Sequence, residues 1–268
     1  MVPITYEKVK VLSNTALGNG IYRIRLSCNR HYSRAVPGQF VMVRTGEQID
    51  PLLPRPFSIH RLIRNKGSVT GLDLLYKVVG KGTQLLSRLQ SADVLALTGP
   101  LGKGFDIAPE FSKVNIVAGG MGVAPMVFLA QTLTESKCNL SSIEVFIGGR
   151  TKADLLCLQD FSAIDLAVHV TTDDGSSGDQ CLVTDPLDMA VTENRPDIIF
   201  ACGPMEMLTC VAGIAEKHNV CCQVSIETMM ACGMGACLGC AVASRRPTQR
   251  YWHACKDGPV FNTRDLDI

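Results

Sequence analysis

The sequence predicts an α+β multidomain protein with an N-terminal antiparallel β-barrel, a doubly wound parallel α/β domain and a small C-terminal segment rich in cysteine. Three observations support this fold class. Short alternating apolar runs fill the first part of the chain, apolar runs alternate with helical stretches in the middle, and cysteines cluster near the end. We place the three parts at residues 1–105, 106–225 and 226–268.

The composition of the chain excludes several classes of function. Its 268 residues include 26 basic and 25 acidic side chains, a net charge of +1, which argues against binding nucleic acid through bulk charge. No apolar run approaches the ~18 residues of a membrane span. Met1–Lys10 lacks the basic and apolar regions of a signal peptide. We therefore expect a cytoplasmic protein with no nucleic-acid partner and no membrane span.

Residues 1–105 have the pattern of a small barrel. Turns that contain Gly and Pro, such as Val36–Gly38 and Thr98–Gly102, separate short alternating runs, as is typical of antiparallel strands. One helix is expected to interrupt them, over Gly82–Leu89. The predicted strands are Tyr6–Leu12, Ile21–Leu26, Phe40–Arg44, Phe57–Leu62, Gly71–Val79 and Asp93–Thr98.

Residues 106–225 have the pattern of alternating strands and helices. Apolar runs begin at intervals of 24 to 30 residues, and stretches of helical composition such as Ala124–Thr134 and Met205–His218 lie between them. This interval predicts a parallel sheet whose ligand lies beyond the carboxyl ends of the strands. The runs begin near Val114, Ile143, Ala167, Asp197 and Gln223.

The strongest chemical signal is Cys232-x4-Cys237-x2-Cys240, followed by Cys255. This spacing is that of plant-type [2Fe–2S] sites. Glycines in the loop let the backbone approach a cluster closely, and we expect Cys255 to complete the ligand set from a neighbouring strand. Four cysteines can also hold a structural zinc ion. Either metal would stabilise a segment that is too small for a core of its own.

Two motifs in the barrel could bind a phosphate. Arg55-Pro56-Phe57-Ser58 combines a planar guanidinium with a hydroxyl at the start of a strand. The segment Leu75-Tyr76-Lys77, followed by Gly82-Thr83, ends in a turn whose N–H groups could face a pyrophosphate. The alternatives are an ordinary strand start and a helix that Thr83 caps.

Glycine-rich turns follow strands of the α/β domain. Gly119-Gly120-Met121-Gly122-Val123-Ala124-Pro125 lies between a strand and a helix, as in nucleotide phosphate sites. Thr172–Gly178 and Cys202-Gly203-Pro204 follow later strands and should lie at the same edge of the sheet. A tight turn without a ligand is the alternative for each loop taken alone.

Together these motifs resemble the ferredoxin–NADP reductase superfamily. The resemblance implies that residues 1–105 bind FAD, residues 106–225 bind NAD and residues 226–268 bind a [2Fe–2S] cluster. The implied FAD contacts are Arg55, Pro56, Phe57, Ser58, Leu75, Tyr76, Lys77, Gly82 and Thr83. The implied NAD contacts are Gly119, Gly120, Gly122, Ala124, Pro125, Cys202, Gly203 and Pro204. The implied metal ligands are Cys232, Cys237, Cys240 and Cys255.

The segments Glu227–Cys240 and Cys255–Phe261 narrow the match, because they resemble the family of dihydroorotate dehydrogenase B electron-transfer subunits. That family implies a partner subunit that oxidises dihydroorotate with FMN, in a heterotetramer with two copies of each subunit. Electrons would pass through the cluster and FAD to NAD⁺, in pyrimidine (UMP) biosynthesis. Cys181 departs from the family pattern, since glycine is expected there.

Two other functions stay open at the level of sequence. Flavin and iron–sulfur subunits of NAD(P)H–ferredoxin or sulfide-linked oxidoreductases share this architecture. The second alternative is an interaction protein that is stabilised by zinc. It would lack the visible absorbance of flavins and iron–sulfur clusters. No catalytic acid or base is predicted, because hydride transfer depends chiefly on proximity.

Overall fold

The computed structural model describes residues 4–46, 50–136 and 140–268. The predicted ranges 1–105 and 106–225, and the segment Met1–Lys10, therefore include some residues outside the described part.

Antiparallel strands close a barrel in the first part. Its elements are β1 (Thr5–Gly18), β2 (Ile21–Ser27), β3 (Phe40–Arg44), β4 (Arg55–Asn65), β5 (Ser68–Lys77), α1 (Lys81–Ser87) and β6 (Val94–Leu101). The strands pair in the order β1-β2-β5-β4-β3-β6, and β6 closes on β1. Buried side chains such as Ile24, Leu72 and Leu97 belong to the barrel core. Alternation of inward and outward side chains explains the apolar pattern of this region.

Strand β1 is longer than the predicted run Tyr6–Leu12. Its first half pairs with β6 as far as Lys10↔Val94, and its second half pairs with β2 from Val11↔Leu26 onward. A register shift after Val11 accompanies the change of partner, as expected of a bulge that bends a strand. The second half is mostly exposed, so it carries little apolar signal in the sequence.

A parallel sheet forms the second part. Its strands are β7 (Lys113–Gly119), β8 (Ser142–Gly149), β9 (Val168–Thr172), β10 (Ile198–Cys202) and β11 (Cys221–Ser225). Its helices are α2 (Val123–Glu135), α3 (Leu158–Ser162), α4 (Thr184–Glu193) and α5 (Met205–Lys217). The strand order β9-β8-β7-β10-β11 reverses direction between β7 and β10. Such a switch point is where doubly wound sheets bind ligands.

Helices cover both faces of this sheet. Ile198 and Phe200 of β10 pack in one cluster with residues of α2 and α3. Ile199 and Ala201 pack in another cluster with residues of α4 and α5. Because both faces are buried, the strands read as continuous apolar runs.

The terminal segment adds β12 (Ala241–Ala243), β13 (Tyr251–His253) and β14 (Val260–Asn262). β12 and β13 pair as a hairpin, and β14 joins the edge of the sheet antiparallel to β11 through Val224↔Phe261. Buried Cys240, Cys255 and Phe261 share a core with Phe40 of the barrel. The segment is therefore packed against both larger parts.

The predicted fold class is confirmed: the chain combines an antiparallel barrel, a parallel α/β domain and a small terminal segment. Among the described residues, no helix is both long enough and apolar enough to cross a membrane.

Candidate functional site

The cysteine loop, which we define as residues 227–240, lies at the start of the terminal segment. Cys240 and Cys255 are buried, whereas Cys232 and Cys237 are half-buried. Cys255 lies in a turn after β13 and not in a strand, so its predicted position was wrong in that detail. The short hairpin ends before it, and the following turn brings its thiol back to the loop.

Backbone amides of the loop point at the cysteine sulfurs. Gly235 N–H donates to Cys255 Sγ at 3.1 Å, and Cys237 N–H donates to Cys232 Sγ at 3.4 Å. Burial raises the pKa of Cys232, but the amides of Met234 and Cys237 outweigh it and lower that pKa to about 6. Amide donors of this kind stabilise thiolate ligands.

The sulfurs form two pairs, which fits a cluster with two iron atoms. The Cys232 and Cys237 thiols are neighbours, as are those of Cys240 and Cys255. Four thiolates around one zinc ion would all lie within roughly 4 Å of one another. Among the described residues, a group of three potential ligand atoms within 4.8 Å of one another occurs only at His60, Cys157 and Asp160. No three of the four cysteine sulfurs therefore lie that close together. The donor set therefore fits a [2Fe–2S] cluster better than a single zinc ion.

The cysteine loop packs directly on the barrel. Gly233 has φ +70°, and a Cβ atom there would lie 2.7 Å from Met42 Cγ on β3. Met42 pairs with Pro56 on β4. One strand therefore separates the cysteine loop from the predicted flavin-binding strand.

The first four residues of strand β4 are half-buried at the barrel surface; they are Arg55, Pro56, Phe57 and Ser58. The Arg55 guanidinium lies against the start of α1, because a Cβ atom at Gly82 would lie 3.2 Å from Arg55 Nε. Arg55 Nη1 donates to the Leu53 carbonyl at 2.7 Å. A guanidinium beside a helix N-terminus fits an anionic phosphate, which both groups attract.

The Thr83 hydroxyl acts as a cap. It accepts hydrogen bonds from the N–H groups of Val79 and Gly80, at 2.9 and 3.1 Å, and donates to the Gly80 carbonyl. The turn therefore offers a ligand its backbone rather than this hydroxyl. The predicted contacts Leu75 and Tyr76 have buried side chains, so only their backbone edge at the end of β5 is available.

The glycine turn after β7 is tightly packed against the loop after β10. A Cβ atom at Gly122 would lie 2.2 Å from the Cys202 carbonyl oxygen, and one at Gly119 would lie 2.9 Å from Pro204 Cδ. A Cβ atom at Gly203 would lie 3.1 Å from the backbone nitrogen of Gly119. The missing side chains thus bring the two loops together at the switch point of the sheet.

A cleft of about 530 Å³ opens beside these loops, between the barrel and the sheet. Of the predicted contacts, Lys77, Gly119, Gly120 and Pro204 line it. Burial raises the pKa of Cys202 to about 12, so its thiol is neutral at the end of β10. The size and position fit a dinucleotide that reaches across both domains.

Ala124 and Pro125 lie in the first turn of α2 with buried side chains, and they do not line the cleft. Sequence reasoning did not single out several of the residues that do. These residues are Ile21, Asp154, Met207 and Cys210. The helix predicted after Cys202-Gly203-Pro204 was the available signal for Met207 and Cys210, whereas nothing in the sequence pointed to Ile21.

Family comparisons cover all three parts of the chain. The iron–sulfur cluster binding domain of dihydroorotate dehydrogenase B matches residues 227–267. An oxidoreductase NAD-binding domain matches residues 116–213, and an oxidoreductase FAD-binding domain matches residues 6–105. The predicted cofactors FAD, NAD and an iron–sulfur cluster are thereby confirmed.

Two relatives are named dihydroorotate dehydrogenase B (NAD⁺), electron transfer subunit. The protein of Desulforamulus reducens is 42% identical over 228 residues, 85% of each chain. That of Caldanaerobacter subterraneus subsp. tengcongensis is 37% identical over 95% of each chain. A solved structure of an NADH-dependent reduced ferredoxin–NADP oxidoreductase aligns with a TM-score of 0.83 and 29% identity, covering 97% of this chain and 89% of that one.

Replacing Gly122 by Ala should impair nucleotide binding. The new methyl would collide with the Cys202 carbonyl oxygen and push apart the two loops at the cleft. A displacement of about 1 Å can lower activity roughly a hundredfold. We expect NADH oxidation with an artificial acceptor to fall by about that factor, while the FAD content is unchanged.

Gly213→Ala is the matched control, because no atom lies within 4 Å of a Cβ atom at that helical position. Steady-state kinetics and flavin absorbance of both variants test the assignment. Wild-type kinetics in Gly122→Ala would show that the loop contact is unimportant.

Proposed function

The chain belongs to the family of dihydroorotate dehydrogenase B electron-transfer subunits, and we propose that it carries electrons from dihydroorotate oxidation to NAD⁺. The dihydroorotate would be oxidised in a separate catalytic subunit that contains FMN. The observation that carries the proposal is the packing of the cysteine loop on β3, beside the flavin strand β4. The product of that reaction serves pyrimidine (UMP) biosynthesis.

The cofactors supply the redox chemistry, since a flavin can exchange single electrons with an iron–sulfur cluster and hydride with nicotinamide. The chain supplies their positions. Cys232, Cys237, Cys240 and Cys255 would hold the cluster. Arg55 and the backbone at Gly82 would bind the flavin pyrophosphate, and the turn at Gly119 would receive that of NAD.

We infer that the partner docks over the cysteine loop. Three apolar side chains in this loop, the apolar rim, are exposed: Met229 by 87%, Met234 by 56% and Leu238 by 59%. An exposed apolar patch around a redox centre is typical of a protein–protein contact. A complex with two copies of each subunit, the absence of a nucleic-acid partner and a cytoplasmic location are further parts of this proposal, supported by the family resemblance.

The flavin and iron–sulfur subunit of an NAD(P)H–ferredoxin oxidoreductase is the second candidate. The structural similarity to the NADH-dependent reduced ferredoxin–NADP oxidoreductase favours it. The 42% identity to the Desulforamulus reducens subunit favours the first candidate. Purification of the native complex distinguishes them, since only the first candidate brings a dihydroorotate-oxidising subunit.

Arg55→Ala should weaken FAD retention. Loss of one charge-assisted hydrogen bond costs about 1.5–3 kcal/mol, or roughly tenfold to a hundredfold in affinity. The loss should be partial, because the α1 backbone remains. Arg64→Ala is the control, since Arg64 is exposed near the far end of the same strand. Equal flavin-to-protein ratios in the two variants after dialysis would refute the role of Arg55.

Cys237→Ala should separate two activities of the assembled complex. Reduction of an artificial acceptor by NADH needs only FAD and the nicotinamide cleft, so it should persist. NAD⁺ reduction by dihydroorotate should collapse, because a cluster ligand is lost. The control is Cys221→Ala, a change at an exposed thiol outside the ligand set, which should keep both activities.

Flavin content and subunit association must be measured on the same Cys237→Ala sample, since a lost ligand can unfold the segment. If an assembled complex without cluster reduced NAD⁺ at the normal rate, the cluster would serve only as a structural staple.

Met229→Glu should weaken association with the catalytic subunit, because it places a charge in the apolar rim. Met189→Glu is the control, since Met189 is 64% exposed on α4. We expect size-exclusion chromatography to show dissociation only for Met229→Glu, with iron and flavin content unchanged in both variants. Intact complexes from both variants would place the docking surface elsewhere.

A further inference from the structure

A cluster of potential metal ligands lies between the barrel and the α/β domain, away from the cysteine loop. His60 belongs to β4, and Cys157 and Asp160 lie at the start of α3. We propose that these three side chains form a second metal site, which binds Zn²⁺ and ties the two domains together. Their ligand atoms lie within 4.8 Å of one another.

His60 is oriented as a metal ligand. Its side chain is completely buried, and Nδ1 lies 2.8 Å from the carbonyl oxygen of Ala124. A carbonyl only accepts hydrogen bonds, so Nδ1 carries the proton and Nε2 has a free lone pair. Nε2 has no hydrogen-bond partner among the described residues. A ring nitrogen fixed by a backbone carbonyl, with the other nitrogen free, is the usual arrangement of a zinc-binding histidine.

Cys157 supplies a soft ligand from the other domain. It precedes α3 in the left-handed conformation, with φ +62°, and its sulfur lies within 4.8 Å of the Asp160 carboxylate. Half-exposure of Cys157 and Asp160 provides a route for an ion. When the metal binds, the thiol proton leaves to solvent and the sulfur binds as thiolate.

Asp160 keeps one oxygen for a metal. Arg61 Nη2 lies 2.6 Å and Arg23 Nη1 3.5 Å from the same atom, Oδ1. Oδ2 is therefore outside both of these ion pairs. Arginines that hold one oxygen orient the carboxylate, as outer-shell groups of metal sites commonly do.

The ligand set favours zinc over the other divalent ions. Nitrogen, sulfur and oxygen donors together suit Zn²⁺, whereas Mg²⁺ and Ca²⁺ take oxygen ligands. Tetrahedral zinc separates such ligand atoms by roughly 3.3–3.8 Å, so small side-chain rotations would close the site. Three protein ligands leave the fourth position to water.

The test uses the holoprotein, with FAD and the iron–sulfur cluster in place. Equilibrium dialysis against buffered Zn²⁺, followed by elemental analysis, should give one zinc atom for every two iron atoms. Cys157→Ser should lower the zinc affinity by more than roughly a hundredfold, because losing a ligand costs more than losing an outer-shell partner, with the iron content unchanged. Cys28→Ser is the matched control, because Cys28 is also a half-buried thiol near a carboxylate, that of Glu7, and should bind zinc normally.

Zinc X-ray absorption of the wild-type holoprotein gives an independent readout, which does not depend on how well a variant folds. The proposal predicts one sulfur ligand and otherwise nitrogen and oxygen. A shell of four sulfurs would mean that zinc occupies the cysteine loop, and it would overturn the assignment to His60, Cys157 and Asp160. A shell without sulfur, no zinc uptake, or equal uptake by Cys157→Ser and wild type would each overturn the assignment.

Discussion

The contact between Gly233 and Met42 sets how closely the cysteine loop approaches the barrel. A side chain at Gly233 would collide with Met42, so only glycine lets the cysteine loop lie directly on the barrel. Met42 in turn pairs with Pro56 of β4, the strand predicted to bind the flavin. The proposed proximity of the cluster and the flavin therefore depends on a missing side chain and a single pair of neighbouring strands.

Glycines also allow close backbone packing at the nucleotide cleft. Gly119, Gly122 and Gly203 allow the loops after β7 and β10 to touch where the strand order reverses. β14 then ties the terminal segment to the sheet. The cofactors supply the redox chemistry, and close backbone packing of the chain positions the loops that are proposed to hold them.

Much of this architecture could be predicted from the sequence. The spacing of Cys232, Cys237 and Cys240 is local and specific, and the apolar periodicity of both domains reflects buried faces. The sequence could not place Cys255 in a turn or reveal β14, because a three-residue strand has no periodicity to detect. The sequence offered a Thr83 cap only as the alternative to a pyrophosphate-binding turn, and the structure shows that cap. Such details depend on contacts between distant segments.

The ligand cluster at His60 illustrates the same limit. Nothing local distinguishes that histidine from an ordinary core residue. What marks it as a potential ligand is its contact with the Ala124 carbonyl of α2 and its closeness to Cys157 and Asp160 at the start of α3. All three residues are far from His60 in the sequence. Tertiary packing brings together groups that no motif would connect.

The central claim is that the iron–sulfur cluster lies on the electron route between the catalytic subunit and NAD⁺. Freeze-quench electron paramagnetic resonance of the assembled complex tests it most directly, after mixing with dihydroorotate in the absence of NAD⁺. The signal of the reduced cluster should appear within one turnover time and disappear when NAD⁺ is added. A cluster that stays oxidised over many turnover times, while the FAD becomes fully reduced, would contradict it.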